Sequence, residues 1–177
     1  MSIEQPANTL HAEASANVSA SAADAYRMIA DYRVGHTRIV PPRYFRNLRV
    51  EEGGYGAGTL IRYDLIVFGK TNHARARVTE PEPGRVLVET HLDKGAVTSF
   101  IVDSLGAAKS RVTIITDMPA RPGLLGRIER AVIQWFLRRV YVAELALLDA
   151  QLRIDARGLR VLPGRQQTEG RKKPRSS

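Results

Sequence analysis

The stretch Arg111–Leu148 reads RVTIITDMPARPGLLGRIERAVIQWFLRRVYVAELALL, and its period changes part-way along. Val112, Ile114 and Thr116 fall on one phase and Arg111, Thr113 and Asp117 on the other, the pattern of a half-buried strand. Pro119 and Pro122 end that strand, and Pro122-Gly123 opens a helix of about thirty residues that closes near Ile154. Leu125, Ile128, Val132, Phe136, Val140, Ala143 and Leu147 recur at spacings of three and four, giving one apolar stripe widened by Ile133, Trp135, Val142 and Leu148.

Upstream of this stretch the period is two almost throughout. Leu10 to Ser19 alternates strictly and forms a first strand. Ser21 caps a short helix that runs to about Asp31. Residues 32–40 form a second short helix or turn, stopped by Pro41-Pro42. Further strands lie near 45–52, 58–69, 71–80, 85–92, 96–105 and 110–117. They are separated by Gly53-Gly54 with Gly56 and Gly58, Gly69-Lys70, Pro81 to Gly84, Asp93-Lys94-Gly95 and Gly106 to Lys109. Short turns between successive strands imply an antiparallel meander. The fold class is therefore α+β: a seven-stranded curved antiparallel sheet wrapped around a long C-terminal helix, with two short helices after strand one. One helix against a curved sheet leaves a gap between them, a natural small-molecule pocket.

The chain has 177 residues and a net charge of +9, of which +6 lies in residues 153–177 (eight basic, two acidic). The expected organisation is a disordered N-terminus over 1–8, a ligand-binding domain over 9–154, and a basic, disordered tail over 155–177. There is no cysteine, which excludes disulfides, thiolate metal sites and a cysteine nucleophile. Met1 to Thr9 has no apolar core of a secretory signal. Leu124–Leu148 carries too many charges to cross a bilayer, so no transmembrane segment and a cytoplasmic location are expected. The tail offers at most weak contact with an anionic membrane. It lacks the aromatic interleaving and folded platform of a specific nucleic-acid site.

Several stretches resemble the START-related superfamily known as SRPBCC, in particular its polyketide cyclase/dehydrase and lipid-transport branch. They are Pro41–Phe45, Val50–Thr59, Val78–Glu89, Thr98–Phe100, Arg111–Thr113 and Pro122–Gly126, within a match spanning roughly residues 9–154. The resemblance implies the helix-grip fold and a cavity for lipids, hormones, quinones or polyketides, with little shared chemistry.

No two of His11, His36, His73 and His91 stand at metal-ligand spacing, so neither a metal nor another cofactor is expected. His73 and His91 fall on the solvent phase of their strands. His36 lies where this fold borders the pocket mouth. There is no Gly-x-Ser-x-Gly elbow and no Walker pattern. By strand phase, Tyr63, Ala76, Thr90, Thr98, Phe100 and Thr116 face the helix, and the outer face holds His73, Arg75, Arg77, Glu89 and Asp103. The expected cavity-lining, ligand-binding residues are Tyr63, Ala76, Thr90, Phe100, Val132, Phe136 and His36, with no catalytic residue among them.

Apart from His36 at the mouth, that lining is greasy and places no acid or base inward. The leading expectation is therefore binding or transport of a hydrophobic small molecule (lipid, polyketide or quinone-like) without turnover. A polyketide aromatase/cyclase is the alternative, and a protein-interaction module using the outer sheet face is the second. Ligand identity and oligomeric state are not written in the sequence.

Overall fold

The computed structural model describes residues 9–160; the expectations for 1–8 and for the tail beyond 160 lie outside the described residues. The chain runs β1 (Thr9–Val18), α1 (Ala22–Ala30), α2 (Gly35–Ile39), β2 (Phe45–Glu52), β3 (Leu60–Val67), β4 (Lys70–Glu82), β5 (Val86–His91), β6 (Val97–Gly106), β7 (Lys109–Pro119) and α3 (Gly123–Arg160). The seven strands form one antiparallel sheet in the order β1-β7-β6-β5-β4-β3-β2. Chain order is kept from β2 to β7, and β1 closes onto β7, so the meander is confirmed. The curved sheet and long C-terminal helix make a helix-grip α+β fold. α3 runs to Arg160, past the expected end at Ile154.

Local chemistry places the two short helices. Ser21 accepts a hydrogen bond from the Asp24 amide and caps α1, which buries Ala25, Met28 and Ile29. The Asp31 carboxylate accepts from the amides of Arg33 and Val34 and turns the chain into α2. Gly35 sits where a Cβ would come within 2.4 Å of the Met28 carbonyl oxygen, so the α1–α2 corner requires glycine. The loop carrying Gly54 and Gly56 latches onto this corner: Gly54 accepts from the Tyr32 amide and Gly56 donates to the Ala30 carbonyl. Its positive φ angles serve a turn, as the sequence suggests.

Two phases differ from expectation. The first is β5. Glu82 pairs with Val86, and an unbroken hairpin would then pair Val78 with Thr90. A bulge between Thr79 and Glu82 instead pairs Val78 with Glu89 and Ala76 with His91. One residue of slip sends every side chain to the opposite face. Thr90 is exposed, while Leu87, Glu89 and His91 point inward. The second is α3. Its buried face carries Phe136, Val140, Tyr141, Glu144, Leu145, Leu148 and Leu152. Leu125, Ile128 and Val132 are exposed, Val132 at 43%, because the sheet supports a different face of the helix.

Candidate functional site

A cavity of about 530 Å³ lies between the sheet and α3. Its walls are largely apolar, with Leu65 and Val67 from β3, Phe100 from β6, and Ile133, Phe136 and Val140 from α3. Of the expected lining residues, Tyr63, Phe100, Phe136 and His36 border this space. Three do not. Thr90 is turned out by the β4–β5 bulge, and Val132 lies on the outer side of α3. Ala76 faces inward but is fully buried in the core; its neighbour two residues back, Ala74, reaches the wall instead.

The polar groups of the cavity form two connected sets. In the first, Tyr63 Oη lies 3.3 Å from His91 Nδ1, and His91 Nε2 lies 3.4 Å from Thr98 Oγ1. Thr98 Oγ1 is 2.7 Å from Thr116 Oγ1, which in turn bonds the Tyr141 hydroxyl. A hydrogen-bonded chain thus crosses from β3 through β5, β6 and β7 to α3. Its two contacts to His91 are long and readily exchanged for contacts to a ligand.

The second set surrounds Glu89. Tyr32 donates to Glu89 Oε1 at 2.5 Å, and His36 Nε2 stands 3.8 Å from the same oxygen. His36 Nδ1 donates to the Ile29 carbonyl at 2.8 Å, and the ring stacks on Tyr32 with centroids 4.4 Å apart. α1 and α2 therefore position the groups that make burial of Glu89 tolerable. Glu144 of α3 is 3% exposed, and its Oε1 finds no hydrogen-bond partner among the described residues.

Burial sets the protonation states. It pushes the Glu144 carboxyl from 4.5 up to about 8, and the negative charge of Glu89 adds to the effect. Glu144 is thus a neutral carboxylic acid at pH 7, able to donate a proton. Burial also lowers His91 below its ordinary 6.5, with Lys94 acting the same way against Glu89 and Asp93. His91 is thus a neutral imidazole at pH 7, able to accept one. Tyr63 is pushed well above its ordinary value, by burial first and by Glu89 next, and remains a phenol. Among the described residues no cluster of His, Cys, Asp or Glu has the arrangement of a metal site.

Solved structures place this architecture. KanY matches over 82% of this chain and 98% of its own, with 23% identity and a TM-score of 0.72. The aromatase/cyclase ZhuI from a Streptomyces species matches over 85% and 98%, with 20% identity and a TM-score of 0.71. The chain has the START/polyketide cyclase fold. Norcoclaurine synthase from Thalictrum flavum shares it more distantly, with 16% identity, a TM-score of 0.64, and coverage of 86% of this chain and 99% of that one. No family model and no curated protein matches the sequence. No described helix is long and apolar enough to cross a membrane.

The strand-phase reading missed Glu89, His91, Glu144 and Tyr141. Val86-Leu87-Val88 is apolar on both phases, so the pattern of β5 does not orient it, and the phase that turns Val86, Val88 and Thr90 inward leaves Glu89 and His91 outside. Glu144 is one of the charged residues that interrupt the apolar stretch Leu124–Leu148, and nothing in its own neighbours marks it as buried. The signal for Glu89 was in the turn: Pro81 and Pro83 interrupt the end of β4, where a bulge changes the register.

Proposed function

We propose that the cavity binds a largely apolar small molecule bearing a carbonyl oxygen and catalyses proton transfer on it, as a polyketide aromatase/cyclase-type enzyme. One observation carries this reading: a neutral imidazole and a protonated carboxyl face the same apolar space. The sequence alone favoured binding without turnover because it placed no acid or base inward. Glu89, His91 and Glu144 remove that reason.

The chemistry follows from the two protonation states. An α-proton of the bound ketone passes to His91, and the C–H electron pair moves into the enolate. The developing negative charge on the carbonyl oxygen is met by the Glu144 carboxyl, which donates a hydrogen bond or its proton. An enol of this kind adds to a second carbonyl to close a ring, and the β-hydroxy ketone so formed can then lose its hydroxyl and an α-proton as water to give a conjugated ring. Apolar walls exclude water and strengthen both interactions. The similarity in fold to an aromatase/cyclase, and to a norcoclaurine synthase solved with dopamine and hydroxybenzaldehyde, supports a site suited to carbonyl compounds.

The test uses a probe that does not depend on knowing the natural substrate. 1-Tetralone is incubated with the protein in D2O, and deuterium at its α-carbon is followed by NMR. Exchange faster than buffer is expected for the wild type. It should be lost in His91→Asn and in Ala74→Phe, which fills the wall. Binding of the probe with exchange at the buffer rate would leave a carrier, not an enzyme. Absence of binding by this and other apolar carbonyl probes would refute the cavity as the site.

A further inference from the structure

The first half of α3 presents a second apolar stripe, turned away from the sheet. Leu124 (72% exposed), Ile128 (57%), Trp135 (53%) and Val142 (61%) recur at helical spacing along this outer side. A second element joins them. Phe68, at the tip of the β3–β4 turn, is 58% exposed and held at a φ of 48°, a backbone conformation costly for a bulky side chain. Phe68 and Trp135 line one groove together with Arg43 and Arg139.

The charges around this patch have one sign. Arg139 lies over the Trp135 ring at 5.0 Å and Arg43 over the Tyr44 ring at 5.7 Å. Neither forms an ion pair among the described residues. Lys70, the first residue of β4, follows the turn that carries Phe68. From Arg127 to Val142 there are four arginines and one acidic residue, Glu129, which borders the inner cavity together with Arg121. A second copy of the chain would bring these cations against their equals. An anionic lipid surface would pair with them while accepting Leu124, Ile128, Trp135 and Phe68 among its headgroups and upper acyl chains.

We infer that this face docks on an anionic phospholipid bilayer, with the outer side of α3 and the β3–β4 turn lying in the interface. Phe136 borders both the outer groove and the inner cavity. Docking therefore sets the aromatic wall of the cavity beside the phase in which an apolar ligand dissolves. This surface lies within the folded domain and is distinct from the basic tail.

Trp135 is the only tryptophan, so its emission reports on this surface alone. The full chain is titrated with vesicles of phosphatidylcholine, and separately with vesicles of phosphatidylcholine and phosphatidylglycerol. Co-sedimentation is measured in parallel. The expected result is a blue shift with the anionic vesicles only, weakening as salt is raised. Leu124→Ser/Ile128→Ser, at exposed positions that leave the core intact, should abolish the shift. Arg43→Ala and Arg139→Ala should each weaken co-sedimentation about fivefold, corresponding to about 1 kcal/mol per charge at such a surface. Three results would overturn the inference. They are sedimentation with vesicles while Trp135 emission stays fixed, which assigns binding to another segment; a shift that depends on protein concentration without vesicles, which assigns the patch to a second copy; and no binding to anionic vesicles.

Discussion

Replacing Glu144 by Gln isolates the cost of keeping a carboxyl inside the cavity. In the folded chain this group titrates at about 8 instead of 4.5. A folded value above the unfolded one means that the group's stabilising contribution is complete below pH 4.5. It declines as pH rises and is gone above about 8. At about 1.4 kcal/mol per pH unit, the difference between the two limits is up to about 5 kcal/mol. Gln keeps the shape and a hydrogen-bond donor but does not titrate. Wild type and Glu144→Gln should therefore melt at similar temperatures near pH 4.5. They should diverge up to about pH 8 and stay apart to pH 9, with the variant the more stable by roughly 10–20 °C for a domain of this size. The assay is a series of thermal melts by circular dichroism between pH 4.5 and 9. Parallel curves across that range would show that Glu144 ionises normally and would refute its assignment as the acid.

Three further outcomes are expected. His91 is depressed below 6.5, so the unfolded chain takes up a proton before the folded one does, and stability falls as pH drops below 6.5; His91→Asn should flatten that acid-side loss in the same melts. Phe136→Ala should cost about 3 kcal/mol or less in urea unfolding, the low end for such a truncation, because the ring borders open space on two sides, and it should speed uptake of an apolar dye. Gly35→Ala should destabilise by about 1–3 kcal/mol through the clash with the Met28 carbonyl; an unchanged melt would show that the α1–α2 corner is looser than described.

The fold was legible because its signals are local and repeated. The alternation of Leu10–Val18, the Gly-rich and Pro-containing turns between strands, the Pro119/Pro122 break and the periodicity of α3 each require only nearest neighbours to interpret. The phase of the site residues was less legible, for two different reasons. β5 was misread because its orientation is set by a bulge in β4 and not by its own pattern. α3 was misread at its N-terminal half because two apolar sides compete there, and only the sheet decides which is covered. Each of the two buried acids depends on a compensation that its neighbours in sequence do not supply. Glu89 is accommodated by Tyr32 of the α1–α2 turn and His36 of α2, both far away in sequence, and Glu144 by remaining protonated. Neither compensation is visible in a window of neighbouring residues. Residues whose strand gave an unambiguous phase, such as Tyr63, Phe100 and Thr116, were placed inward correctly.

The pH dependence of α-deuteration of 1-tetralone tests the acid–base assignment most directly. The expected profile is a bell: the acid limb falls below pH 6.5 as His91 takes up a proton, and the alkaline limb falls near pH 8 as Glu144 loses one. Glu144→Gln, which keeps a donor at that position, should lose the alkaline limb alone. A rate that keeps rising through pH 9 in the wild type, in step with hydroxide in buffer, would contradict proton transfer by this pair.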